Sequence, residues 1–203
     1  MWAYLRALLY TMFCDGLRDA LFPFFAARDP ARRDLGVACP DGGTMRLHFF
    51  EPAIARGPLV LLLHGLSGHG ADAYAMELAR TLRAAGVECV SSTRRGHGGL
   101  RFTSAAVSHA AAERDVALLV DVLAAAPGQR GRPIVLLGVS FGGLLALRYV
   151  TALRAHCERG DVAGAFTLCA IVSPTRNCAY VARRSGALGR FVDRRVCARL
   201  LAA

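Results

Sequence analysis

The chain contains no lysine. All 25 of its basic residues are arginine, set against 15 acidic residues for a formal net charge of +10. An all-arginine cation set, with heavy use of alanine and glycine, reads as compositional bias rather than as a surface built for nucleic acid. The arginines are dispersed, with only short pairs such as Arg32-Arg33, Arg94-Arg95, Arg183-Arg184 and Arg194-Arg195. No recognition module accompanies them, which argues against a nucleic-acid partner. Cys-x-x-Cys is also missing. The seven cysteines (14, 39, 89, 157, 169, 178 and 197) have no histidine nearby at metal-ligand spacing, so neither a metal nor a cofactor is implied. Cys89 and Cys169 fall inside predicted strands, where a reduced thiol packs as a small apolar residue. The Gly-x-x-x-x-Gly-Lys-Ser/Thr pattern of a phosphate loop is absent, so Arg94-Arg-Gly-His-Gly-Gly99 reads as a surface loop after a strand. There is no internal repeat and no low-complexity linker. The longest uncharged stretch near the N-terminus, Ala7 to Cys14, is too short to span a bilayer, and no clear signal-peptide cleavage site follows it.

What is present points to one sizeable core. At 203 residues, a single domain is the natural expectation. A hydrophobic fraction of 54% and a mean hydropathy of +0.36 suit a parallel sheet covered on both faces. Leu5, Leu8, Leu9, Met12 and Phe13 recur at helical spacing and predict an amphipathic N-terminal helix. That helix either packs on the domain or lies in a membrane interface. With the linker around Pro30 it makes up residues 1–33, leaving 34–203 for the main domain.

Along that domain, Leu35 to Phe50 predicts a hairpin turning at Pro40-Asp-Gly-Gly43. Pro58 to Leu63 is a buried strand, Asp72 to Ala85 a helix closed by Gly86, and Val87 to Ser92 a strand. Ala105 to Ala126 reads as a helix ended by Pro127-Gly128. Ile134 to Val139 is a strand, followed by a helix running to about Cys157. A strand from Ala163 to Val172 then stops at Ser173-Pro174. Strands alternating with helices through short loops give an α/β fold with a doubly wound, mostly parallel sheet after an N-terminal hairpin.

The most informative stretch is Gly138-Val-Ser140-Phe-Gly142. Gly-x-Ser-x-Gly alone turns up by chance in a glycine-rich chain, but here it stands between an apolar strand and a helix. That context is the nucleophile elbow of an α/β-hydrolase, which presents a serine hydroxyl above the sheet. Gly138 and Gly142 supply space that a side chain would fill. Ser140 is the candidate nucleophile. The loop His64-Gly-Leu-Ser-Gly68 follows the neighbouring strand, so the backbone N–H groups of Leu66 and Phe141 are the candidate oxyanion hole. His64 precedes the serine, whereas the base of this fold follows it, and its expected job is a hydrogen bond inside its own loop. Glu113, Asp115 and Asp121 read as a solvated helix face, with Asp115 the one that could anchor a neighbouring loop.

In order, Pro40-Asp-Gly, His64-Gly-Leu-x-Gly68 with Tyr74, Arg95-Gly, Gly138-x-Ser-x-Gly-Gly143 and Ser173-Pro174 make the chain similar to the AB-hydrolase superfamily. Within it the chain most resembles the YheT-like branch of α/β-hydrolase-domain esterases, departing from it at Leu144, where an asparagine commonly follows the Gly-Gly pair. The resemblance covers roughly residues 37 to 175. It implies a serine hydrolase of carboxylic esters, plausibly lipid acyl esters. It also implies a cap region after Ser173-Pro174, which residues 176–203 would begin. In this family two further strands present the acid and the histidine of the triad. His156 is the one histidine after Ser140, and it lies at the wrong end of the elbow helix. Asp161 and Asp193 are no better placed. The expectation is therefore a chain cut short of its last strands, with both partners of Ser140 absent. The alternative is an inactive relative that serves as a binding or scaffold module.

Overall fold

The computed structural model describes residues 32–50, 57–66, 68–129, 131–152, 158–173 and 175–176. The chain divides into two units, residues 1–32 and 33–203, and only the second is described beyond Arg32. The expected amphipathic helix, His156, Asp193 and nearly all of the expected cap lie outside the described residues.

Six strands form one sheet: β1 (Arg32–Ala38), β2 (Thr44–Phe50), β3 (Leu59–Leu63), β4 (Cys89–Thr93), β5 (Ile134–Val139) and β6 (Val162–Leu168). Their spatial order is β1-β2-β4-β3-β5-β6. β2 pairs antiparallel with β4, while β4, β3, β5 and β6 run parallel. Three helices link the parallel strands: α1 (Ala73–Ala84), α2 (Glu113–Ala125) and α3 (Phe141–Ala152). The expected hairpin followed by a parallel, doubly wound sheet is what forms.

The core explains the order. β3, Leu-Val-Leu-Leu-Leu, is buried at all five positions because it lies mid-sheet with both faces covered. α2 buries Val116, Leu119, Val120 and Leu123, and α3 buries Leu145, Ala146 and Tyr149 into the same cluster. β6 lies at the end of the described sheet, and it leaves Phe166 69% and Leu168 45% exposed.

The elements depart from expectation in three places. The helix expected from Ala105 begins only at Glu113. The alanines of this stretch favour helix, but Thr103 donates to the Gly42 carbonyl at 2.7 Å and Ser104 to Asp41 at 3.1 Å. Those bonds tie the start of the segment to the β1–β2 turn. The last strand ends at Leu168 rather than Val172. Cys169 therefore sits beyond it, exposed and at φ +51°, not packed inside a strand. Cys89 is buried within β4 as expected, and burial pushes its thiol up to about 12. Finally, Arg94 and Arg95 are only 5% and 7% exposed, so the loop after β4 starts buried and reaches the surface only at Gly98 and Gly99.

Arg95 explains its own burial. Its Nε and Nη2 donate to the two oxygens of Asp115 at 2.9 Å each, and Nη1 donates to Asp41 at 2.7 Å. Asp115 thus anchors the loop rather than facing solvent. One guanidinium joins the β1–β2 turn, the loop after β4 and the start of α2. The Arg95 hydrogen bond, with a second from the Gly43 N–H, lowers Asp41 from 3.8 to about 2. A carboxylate with a depressed folded pKa adds stability above its unfolded pKa and loses it as pH falls through the folded value. The stability gap between the parent and Asp41→Asn is therefore expected to be full above about pH 4 and to close towards about pH 2. Thermal melts of both proteins across that range check it, and a gap independent of pH would contradict the ion pair.

Candidate active site

All four parallel strands end at one edge of the sheet, and the loops leaving those ends carry the candidate residues. Ser140 follows β5 directly with φ +53°. A non-glycine residue in this region costs on the order of 1–3 kcal/mol and persists only where its surroundings enforce it. Here they do. The Ser140 N–H donates to the Leu168 carbonyl at the end of β6 at 2.8 Å. The Ser140 carbonyl accepts from Gly143 at 3.0 Å and Leu144 at 3.3 Å, which starts α3. The serine is clamped between a strand end and a helix start.

The two glycines have separate reasons. A Cβ on Gly138 would lie 2.4 Å from the Gly142 carbonyl oxygen, so the strand and the start of the helix touch through that position. A Cβ on Gly142 would lie 2.1 Å from the Leu63 carbonyl oxygen, so the first turn of α3 rests on the end of β3.

That contact also brings the His64-Gly-Leu loop to Ser140. A Cβ built on Gly65 would stand 3.8 Å from the Ser140 Cβ, and the Gly65 N–H donates to the Tyr74 hydroxyl at 2.9 Å. Phe141 occupies the first turn of α3, where helix geometry leaves the N–H without an intrahelical acceptor. Positive helix-dipole charge collects at the same end. Leu66, Ser140 and Phe141 are all partly exposed at the rim of an otherwise buried neighbourhood.

The histidines near this edge are already engaged. His64 is fully buried. Its Nδ1 stands 2.8 Å from the Gly65 carbonyl, and its Nε2 accepts from the Arg94 backbone N–H at 3.2 Å. Burial first, and then the Arg94 charge, hold it well below the usual imidazole range. It is a neutral loop residue, as its sequence position implied, and its lone pair is committed. His97 places Nδ1 2.8 Å from the Arg95 carbonyl and Nε2 3.0 Å from the Leu66 carbonyl. Burial lowers its pKa, outweighing the hydrogen bond to Arg95 that raises it. A neutral ring can donate to only one of these carbonyls. The Leu66 carbonyl keeps a second donor in Arg94, at 3.1 Å.

A second constellation has the outline of a triad. His48 sits between Asp34, 2.8 Å from Nδ1, and Thr93, 2.8 Å from Nε2, while Gly70 donates its N–H to the Thr93 hydroxyl at 2.9 Å. His48 and Thr93 are 2% and 1% exposed, and a Cβ on Gly70 would come within 2.7 Å of His48. An acyl group cannot reach Thr93, so the set pins β2, β4 and the loop before α1 together. Asp161 is also remote from the site. It pairs with Arg159 at 2.8 Å at the start of β6, the opposite end from Ser140. Among the described residues no histidine is hydrogen-bonded to Ser140.

Sequence reasoning names Ser140, Leu66, Phe141, Gly138 and Gly142 as candidates, and the structure sets four of them at the β5–α3 turn, beside the loop that holds Leu66. It missed Arg94. Its signal was position, because a residue directly after a parallel strand stands at the carboxyl edge where such sheets place their sites.

Known proteins share this fold. Residues 60–203 match the model of the alpha/beta hydrolase family. The mouse phospholipase ABHD3 is 29% identical over 140 residues, which is 64% of this chain and 33% of that protein. The chain thus spans about a third of the length of this curated relative. Among solved structures, the Pyrococcus furiosus esterase Pf2001 superposes with a TM-score of 0.60 at 17% identity, covering 80% of this chain and 59% of that one. XC6422 from Xanthomonas campestris, described as an α/β serine hydrolase without a lid, gives 0.51 at 24% identity, covering 61% and 57%. At such identities the structural likeness speaks for the fold, and the family model carries the assignment. The chain belongs to the alpha/beta hydrolase family.

Proposed function

We propose that this chain carries the nucleophile and oxyanion hole of a serine hydrolase acting on carboxylic esters, with lipid acyl esters as the substrate class. The observation that carries the reading is the left-handed Ser140 at the strand-to-helix turn, beside the His64-Gly-Leu loop. Strain of this kind clusters at sites of chemistry. The phospholipase name of the mouse relative supports a lipid ester, and the Pro40-Asp-Gly, Arg95-Gly and Ser173-Pro174 landmarks support the YheT-like branch. No cofactor is needed.

In this reading the Ser140 hydroxyl attacks the acyl carbon and gives its proton to a general base outside the described residues. The carbonyl oxygen becomes an oxyanion held by the N–H groups of Leu66 and Phe141. Collapse of this intermediate expels the alcohol, which takes up the proton, and water then releases the acid from the acyl-enzyme. A fixed N–H donor of this type contributes about 100- to 1,000-fold in rate.

The test uses an alkyl fluorophosphonate together with short- and long-chain p-nitrophenyl esters. Covalent labelling and ester turnover are expected from the parent protein together with the sequence that supplies its base, and both are expected to vanish in its Ser140→Ala variant. Long-chain esters are expected to be the better substrates. Absence of labelling and turnover in the parent would favour the second reading, a catalytically silent family member acting as a binding module. Such a module is compatible with the lack of a histidine at Ser140 among the described residues.

A further inference from the structure

Arg94 is a buried cation with no carboxylate partner among the described residues, an arrangement that ordinarily costs stability. Its hydrogen bonds converge on the loop beside Ser140. Nη2 donates to the Gly65 carbonyl at 2.7 Å and to the Leu66 carbonyl at 3.1 Å. Nε donates to His64 at 3.2 Å and Nη1 to Ser108 at 3.2 Å. The guanidinium carbon also lies 4.7 Å from the centre of the Phe141 ring. One side chain therefore touches both residues assigned as oxyanion donors.

The peptide geometry gives these contacts a consequence. The Gly65 carbonyl and the Leu66 N–H belong to one peptide plane, and the structure contains no cis bond among the described residues. In a trans peptide the two groups point in opposite directions. Fixing the carbonyl on Arg94 turns the Leu66 N–H away from the guanidinium, while Gly65 itself adjoins Ser140. The cation also draws electron density towards the carbonyl oxygen, which makes the N–H on the same plane a stronger donor. The ring of Phe141 under the guanidinium holds the other donor's residue in place.

We infer that Arg94 is a positioning residue of the oxyanion hole: it orients and polarises the peptide that presents the Leu66 N–H. The inference rests on Ser140 being the nucleophile proposed above. It predicts that losing Arg94 weakens oxyanion stabilisation while substrate binding and the serine itself are retained.

Ester turnover by the whole protein, with the sequence that supplies the base, is compared for the parent, Arg94→Met and Arg94→Lys, using a p-nitrophenyl ester and the matching thionoester. Sulfur is a weak hydrogen-bond acceptor, so the thionoester reaction draws little on the hole. In Arg94→Met, kcat for the ester is expected to fall about 100-fold with KM little changed. The ester-to-thionoester rate ratio is expected to fall at least about tenfold, with Arg94→Lys in between because it can hold one carbonyl but lacks the fork. General damage to the fold lowers both substrates alike. An unchanged ratio, whatever the loss in rate, would overturn the role of Arg94 while leaving Ser140 standing. A parent chain without Ser140-dependent turnover would overturn the nucleophile assignment, and this inference with it.

Discussion

Gly142→Ala is expected to destabilise the protein by about 3 kcal/mol or more, at the upper end of what overpacking costs. The added Cβ would lie 2.1 Å from the Leu63 carbonyl oxygen, 2.6 Å from the Leu63 carbonyl carbon and 2.7 Å from the His64 carbonyl oxygen. All three are backbone atoms. They belong to the end of β3 and the residue after it, and β3 is held between β4 and β5, so they cannot swing aside as a side chain would. The elbow helix must lift instead, dragging Ser140 with it. Gly164→Ala is the control, because a Cβ there meets nothing within 4 Å. Its effect is expected to stay within about 0.5 kcal/mol. Urea midpoints of the two variants check the contrast. Equal midpoints would mean that α3 does not rest on β3 as described.

Arg95→Met is the second large effect, expected to cost about 3 kcal/mol or more. Arg95 is 7% exposed, and its removal leaves Asp115, with a side chain 18% exposed, without its bidentate partner. Breaking one side of a buried pair strands the other charge, and that penalty exceeds the worth of the pair itself. Arg95→Lys is expected to recover only part, since an ammonium cannot present the fork that meets Asp115 and Asp41 together. Exposed pairs behave differently. Arg159 lies between Asp121 and Asp161 but is 55% exposed, so Arg159→Ala is expected to leave stability nearly unchanged. The check is equilibrium unfolding of the three variants side by side. A loss in Arg95→Met no greater than that in Arg159→Ala would contradict the network.

These two predictions mark where the sequence was and was not transparent. The elbow was legible because its cause is local: Gly138 and Gly142 stand at fixed offsets from Ser140, between an apolar run and a helix-forming run. The parallel sheet was legible in the same way, from unbroken apolar strands such as Leu59–Leu63. Arg94 and Arg95 were not. An arginine pair in a glycine-rich loop suggests solvent, and Arg95 is buried only because Asp41 and Asp115 reach it from 54 and 20 residues away. The Asp34-His48-Thr93 set was hidden for the same reason, as its members sit on different strands. The late start of α2 was missed because Thr103 and Ser104 bond to the β1–β2 turn, which overrides the helix preference of the alanines around them. Cys169 was misplaced because the Leu168 carbonyl is taken by the Ser140 N–H, where the strand ends.

The proposed role of Ser140 as nucleophile is read from the location of a fluorophosphonate adduct. After reaction of the full chain, digestion and mass spectrometry are expected to place a single phosphonyl group on the peptide containing Gly138-Val-Ser-Phe-Gly142, at Ser140, with none on Ser140→Ala. An adduct on another residue, or an unmodified Ser140 in the folded whole protein, would rule that role out.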